Sequence, residues 1–259
     1  MPVTKKDIIA LLQREILPLQ GFKPAINNAA IDTGLGSIKF SFPGATFPLG
    51  AVHEFICPVP ETLSAAGGFI AGILSALMHH GGASVWISSS QTIFPPSLKS
   101  FGIEPDKIVF INLPKEKDRL WALEEALRCD GIAAVVGEIK ELSFKDSRRL
   151  QLAVEQSLVT GFIIRNNPRN LNTTACIARW EITHLSSMLI DDMPGVGFPC
   201  WNVSLQKVRN GSEVTSGPAT AITYDVLAAT HDIPGNYDVL TLGVAIGAPG
   251  WWTFRLRSF

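Results

Sequence analysis

No two of the four cysteines, Cys57, Cys129, Cys176 and Cys200, stand close enough to form a C-x-x-C pair. That spacing excludes both a zinc ribbon and a dithiol redox motif, and the four read as free thiols of a reducing cytosol, most of them buried. Charge is also scarce: charged residues make up 17% of the chain, hydrophobic residues 46%, and the formal net charge is −1. Such a balance removes any global attraction for nucleic acid and leaves only local basic patches to consider. The apolar excess over what solubility needs argues for a protein partner. No apolar run reaches the ~18 residues of a membrane helix. The N-terminal stretch MPVTKKDIIALLQREILPLQGF has two lysines but no long apolar core, so it is no signal peptide. Linkers and internal repeats are missing too. A cytoplasmic chain of 259 residues with one α/β domain is expected.

Ile8, Leu11, Leu12, Ile16 and Leu19 recur at helical intervals, which predicts an amphipathic helix over 4–19, ended by Gly21 and Pro24. A Gly- and Pro-punctuated connector, IDTGLGSIKFSFPGATFPLG, leads into the core. From Ala51 five short apolar runs, AVHEFI, GGASVWISS, KIVFINL, GIAAVVGEI and TGFIIRN, alternate with helical patterns. Alternation of this kind signals βαβ units and a mostly parallel sheet covered by helices on both faces. After Asn166 the pattern changes: ACIARWEITHL, CWNVSLQKVRNG and ATAITYDVL read as hairpin strands, antiparallel, added at the C-terminal edge of the sheet.

The stretch CPVPETLS, 57–64, lies between the first strand and a helix rich in small residues. Strand, loop, helix is the setting of a phosphate-binding loop, G-x-x-x-x-G-K-[ST]. On that frame Cys57 replaces the first glycine, Thr62 the second and Leu63 the lysine, while Ser64 alone fits. Pro58 and Pro60 remove two N–H donors that a phosphate nest would need. The plainer reading is a proline-stiffened turn with Thr62 or Ser64 as the helix N-cap.

In segment order the chain resembles the RecA recombinase core, from the TG segment at 33–34 through FGIEPDKIVFINLPKEKDRLWALEEALRCDGIAAVVGEI. More narrowly it resembles the ImuA branch with its SulA-like relatives, on PLGAVHEF, FPPSL, LWALEEALR, AAVVGEI and SRRLQLAVEQ. The resemblance implies a RecA-like core with flanking helices. Besides the lysine position at Leu63, it places two expected acids on residues that do not supply them. The acid that ends the fourth strand falls on Gly137, with Glu138 one residue beyond. The water-activating acid that ends the second strand falls on Ser90, and the polar switch after the fifth strand on Asn166. No ATPase activity, nucleotide cofactor or metal is therefore expected.

His79 and His80 before Gly81-Gly82 fit a helix C-terminus better than a metal site. His53 and Glu54 alternate on a strand and so point to opposite faces. Arg148 and Arg149, with Lys145, form a basic cluster. Arg165 and Arg169 flank the position of RecA's second DNA-binding loop, here short, and Arg179, Lys207 and Arg209 add charge nearby. A solvated polar face is the plainer account of these cations, so weak or no direct DNA binding is expected. Trp251, Trp252, Phe254 and Arg255 are the side-chain types of interface hot spots and equally of a strand covering a sheet edge.

The expected organisation is an N-terminal helical segment, 1–30, a RecA-like core with a degenerate phosphate loop, 31–225, and a C-terminal aromatic tail, 226–259. The resemblance implies a non-catalytic accessory protein of SOS-induced, error-prone translesion synthesis. Its partners would be an ImuB-like Y-family polymerase homologue, an error-prone replicative-type polymerase, and RecA itself as a further candidate. The alternatives are a SulA-type cell-division inhibitor and an ATP-binding recombinase paralogue.

Overall fold

The computed structural model describes residues 33, 35–79, 81–91, 93–188 and 198–209, and the backbone of 223–229, 240–242 and 251–256. The helix expected over 4–19, the segment 1–30 and His80 lie outside the described residues.

Strand β1 (Val52–Cys57) is buried along its whole length and enters helix α1 (Pro60–Met78). Strand β2 (Ala83–Ser88), a 3-10 turn (Pro95–Phe101), β3 (Ile108–Asn112), α2 (Glu116–Leu127), β4 (Ile132–Ile139), α3 (Phe144–Ser157) and β5 (Thr160–Asn166) complete the alternating part. Then come β6 (Ala178–Met188), β7 (Phe198–Val208), β8 (Thr223–Ala229), β9 (Leu240–Leu242) and β10 (Trp251–Leu256). The ten described strands form one sheet in the order β3-β2-β4-β5-β1-β6-β7-β8-β10-β9. β6 pairs in parallel with β1, which extends the parallel part by one strand beyond the five expected. From β6 onward every pairing is antiparallel, as the change of pattern after Asn166 indicated.

Two cores cover the two faces. On one, α1 lies over Phe55, Trp86, Trp180 and Trp201. The small residues of α1 let it approach the sheet closely: a Cβ on Gly68 would stand 2.6 Å from the Trp201 ring. Trp180 is central here, stacked on Phe55 at 6.0 Å and in contact with Phe69 and Phe42. On the other face α2 and α3 bring Leu123, Leu127, Leu150 and Val154 onto Val135 and Ile163. The connector before β1 folds as two 3-10 turns that bury Leu35, Ile38, Phe42 and Phe47.

Among the described residues one helix, α1, is long and apolar enough to cross a membrane by length and composition, and 72% of that window is buried inside the protein. No unbroken apolar run of that length stands in the sequence, because the helix opens on Pro60 and Glu61 and carries Ser64 and Ser75 within it.

Candidate functional site

β1 ends at Cys57 and α1 begins at Pro60, so only Pro58 and Val59 separate strand from helix. Proline at N1 starts the helix earlier than the sequence reading placed it. Neither Thr62 nor Ser64 is the N-cap: Val59 holds that position, and Thr62, at N3, accepts a hydrogen bond from the Val59 N–H at 3.3 Å. The Thr62 hydroxyl in turn donates to the Val59 carbonyl at 2.7 Å, and the Leu63 N–H to the same carbonyl at 3.2 Å. Two of the N–H groups nearest a phosphate position are thus taken up internally, and Pro58 and Pro60 have none to offer. Ser64 donates to the Pro60 carbonyl at 3.3 Å. Cys57 is buried and donates to the Thr62 carbonyl at 3.5 Å, and burial pushes its thiol up to about 12, so it stays protonated and unreactive.

Beyond this junction lie the carboxyl ends of β2, β4 and β5. Ser90 is exposed, and its carbonyl accepts from the Ser88 hydroxyl at 2.6 Å. Gly137 faces α2: a Cβ there would fall 2.3–2.6 Å from the Leu123 side chain. The carboxylate on the α1 face is Glu138, buried, with the Trp86 indole N–H donating to it at 3.1 Å. Glu138 borders two clefts. One, of about 200 Å³, runs between α1 and the 3-10 turn and has Leu63 and Ser64 in its wall. The other, of about 310 Å³, is polar and bordered by Ser89, Arg119, Lys140, Asn166 and Asn167. Arg119 is held there by three carbonyls, of Glu138, Leu113 and Pro114, at 2.8–2.9 Å.

The basic residues near the expected DNA loop have another task. Arg165, a contact candidate by sequence, is fully buried and is not available to a partner or to DNA. Its guanidinium meets Glu54 at 3.0 Å and Glu141 at 3.2 Å and donates to the Asn170 carbonyl at 2.8 Å. Arg179 meets Glu54 at 2.9 Å and donates to the Asn172 carbonyl, and Thr174 donates to Glu54 at 2.7 Å. Lys207 donates to the Thr174 carbonyl at 3.0 Å and Arg209 to that of Ala175. Four cations therefore hold the backbone of 170–175, and burial lowers the pKa of both Lys207 and Arg209. Arg169 is exposed, with its backbone N–H donating to Glu141 at 2.8 Å. Arg149 pairs with Glu124, and Arg148 with Glu155 at 3.5 Å.

His53 and Glu54 do point to opposite faces. His53 is buried, stacked on Phe47 at 4.4 Å, 2.8 Å from the Pro48 carbonyl, and accepts from the Trp180 indole at 3.3 Å. His79 caps the C-terminus of α1, followed by Gly81 at φ +102. Among the described residues no group of His, Cys, Asp and Glu could hold a metal ion. Trp251, Trp252, Phe254 and Arg255 lie on β10, paired antiparallel with β8. The Glu54 network and the Trp86–Glu138 pair were missed by sequence reasoning. A glutamate in the middle of an apolar strand was the available signal for the first, since buried charge requires partners. Glu138 follows Gly137 directly, on the other face of the strand.

No family model matches the chain. It is 32% identical over 190 residues to Protein ImuA of Caulobacter vibrioides, in two strains, which covers 69% of this chain and 78% of that protein. Over 104 residues it is 28% identical to the cell division inhibitor SulA of Photorhabdus laumondii, covering 40% of this chain and 59% of SulA. Among solved structures the RadB recombinase is similar, with a TM-score of 0.50 at 13% identity over 75% of this chain and 94% of that one. The fold is RecA-like.

Proposed function

The chain belongs to the ImuA family, and from that premise we propose that it is a non-catalytic, RecA-like accessory protein of damage-induced, error-prone translesion DNA synthesis. In this reading it works in the cytoplasm by binding an ImuB-type polymerase homologue, in an assembly with an error-prone replicative-type polymerase and RecA. The observation that carries the non-catalytic part is the β1–α1 junction. Two residues join strand to helix, and Leu63 stands where a lysine would neutralise phosphate. A fold does not bring its activity with it when the site is gone. Direct DNA contact is given a minor part, because Arg165, Arg179, Lys207 and Arg209 are engaged with backbone carbonyls and Glu54. The SulA-type reading rests on the shorter match, 104 residues against 190.

The test is genetic and biochemical together. Deleting the gene should abolish damage-induced mutagenesis, and the wild-type gene should restore it while its product captures the polymerase homologue. Unchanged mutagenesis after deletion, with filamentous cells on overexpression, would replace this reading by division inhibition.

A further inference from the structure

The 200 Å³ cleft beside Glu138 has the composition of an anchor pocket. Leu63, Gly67 and Ala71 of α1 form one wall, and Phe94, Leu98 and Phe101 the other. Trp86 and Glu138 also line it. Its lining carries exposed apolar surface: Phe94 is 70% exposed. Exposed aromatic surface at the rim of a concave site is where partners bind rather than where a monomer stops. The size is that of one aromatic side chain, since apolar cavities of about 150 Å³ take up benzene.

Charge decides what kind of chain carries that side chain. Glu138 is the one ionisable residue among those lining the cleft. Helical spacing puts the exposed Glu61 on the same face of α1 as Ser64 and Gly68, one turn above the cleft. Lys99, on the opposing turn, is paired with Glu104 at 3.6 Å. Among the described residues no lysine, arginine or histidine lines the cleft, so its lining offers an anion no cationic partner and a cation the carboxylates of Glu138 and, nearby, Glu61.

We propose that the cleft between α1 and the 3-10 turn is a docking pocket for one aromatic side chain of a partner polypeptide, carried beside basic residues. This rests on the reading above, that the chain works by binding a protein, and it locates that binding beside the β1–α1 junction. A ring N–H or a flanking ammonium can reach the Glu138 carboxylate, while the ring fills the apolar volume.

The probes are acetyl-Lys-Trp-Lys-amide and acetyl-Glu-Trp-Glu-amide, titrated against the full chain and followed by NMR. Gly67→Leu plugs the cleft: a Cβ on Gly67 meets Ile93 Cδ1 in ordinary contact at 3.8 Å, without a clash, and leucine favours a helix, so the variant should fold. Phe94→Ala, on the exposed rim, is a second variant independent of helix packing. The basic peptide should bind wild type at least tenfold more tightly than the acidic one and lose tenfold or more on either variant. Both variants should also weaken capture of the polymerase homologue. Equal binding of the two peptides, unchanged binding by both variants, or displacement of the peptide by Mg-ATP would overturn the proposal. Variants that lose the peptide but keep wild-type affinity for the homologue would overturn it as a partner site and leave the wider reading standing. A wild type that binds the basic peptide yet ignores the homologue would support the pocket and sink that reading.

Discussion

His53 is fully buried against Phe47 and Trp180, and desolvation pulls its pKa from 6.5 down to about 4. The folded chain therefore prefers the neutral ring, and the unfolded chain takes up a proton first as pH falls. Stability should be complete above pH 6.5 and be lost progressively between 6.5 and about 4, by about 3 kcal/mol from this residue. Denaturant melts at pH 7.5 and 4.5 should show that loss in wild type and less of it in His53→Gln. An equal loss in both would assign acid sensitivity elsewhere. On the opposite face, Glu54 accepts from Arg165, Arg179 and Thr174. Glu54→Leu leaves Arg165 buried without its shortest ion pair and should cost about 3–5 kcal/mol. Hydrogen exchange should quicken first at 170–175, the backbone these arginines hold. Glu54→Leu with Arg165→Met should recover part of the loss. A local loop that stays protected in the single variant would show that the network does not hold it.

At the scale of elements, the β1–α1 junction and the end of β4 decide what restoring residues can achieve. Leu63→Lys places a cation on a helix whose first turn has already closed on Val59, and no N–H nest surrounds it. No magnesium-dependent turnover is expected in that variant, measured by phosphate release; measurable turnover would show a scaffold closer to competence. Gly137→Asp should destabilise by about 1–3 kcal/mol or more through the clash with Leu123, without supplying a metal partner on the α1 face. The existence and order of β1 to β7 and of α1 to α3 were legible, because buried parallel strands and amphipathic helices leave different periodicities. The start of α1 was not, since Pro58 and Pro60 look alike in sequence while only Pro60 is helical. The role of Arg165 was hidden for a different reason: its partners Glu54 and Glu141 are distant in sequence, and only the parallel pairing of β1 with β5 brings Glu54 beside it.

For the whole molecule, the single sheet joins the RecA-like half to the C-terminal strands without a break. The sequence pattern announced extra strands but not that β6 would lie parallel to β1, because strand order depends on crossings that no local pattern records. β10 stands between β8 and β9, so truncation before Gly243 removes a strand and bares the edge of β8. The truncated chain should still melt cooperatively, but associate with itself in sedimentation through that open edge. A truncated chain that remains monomeric would show the edge to be protected in another way.

In this RecA-like chain the position of a phosphate loop holds a closed turn beside an apolar cleft. Calorimetric titration of the full chain with Mg-ATP tests this most directly. No heat of binding is predicted at concentrations up to the millimolar range. Micromolar binding that disappears in Ser64→Ala would contradict it, since the nucleotide would then be held by the one residue of the phosphate loop this chain retains.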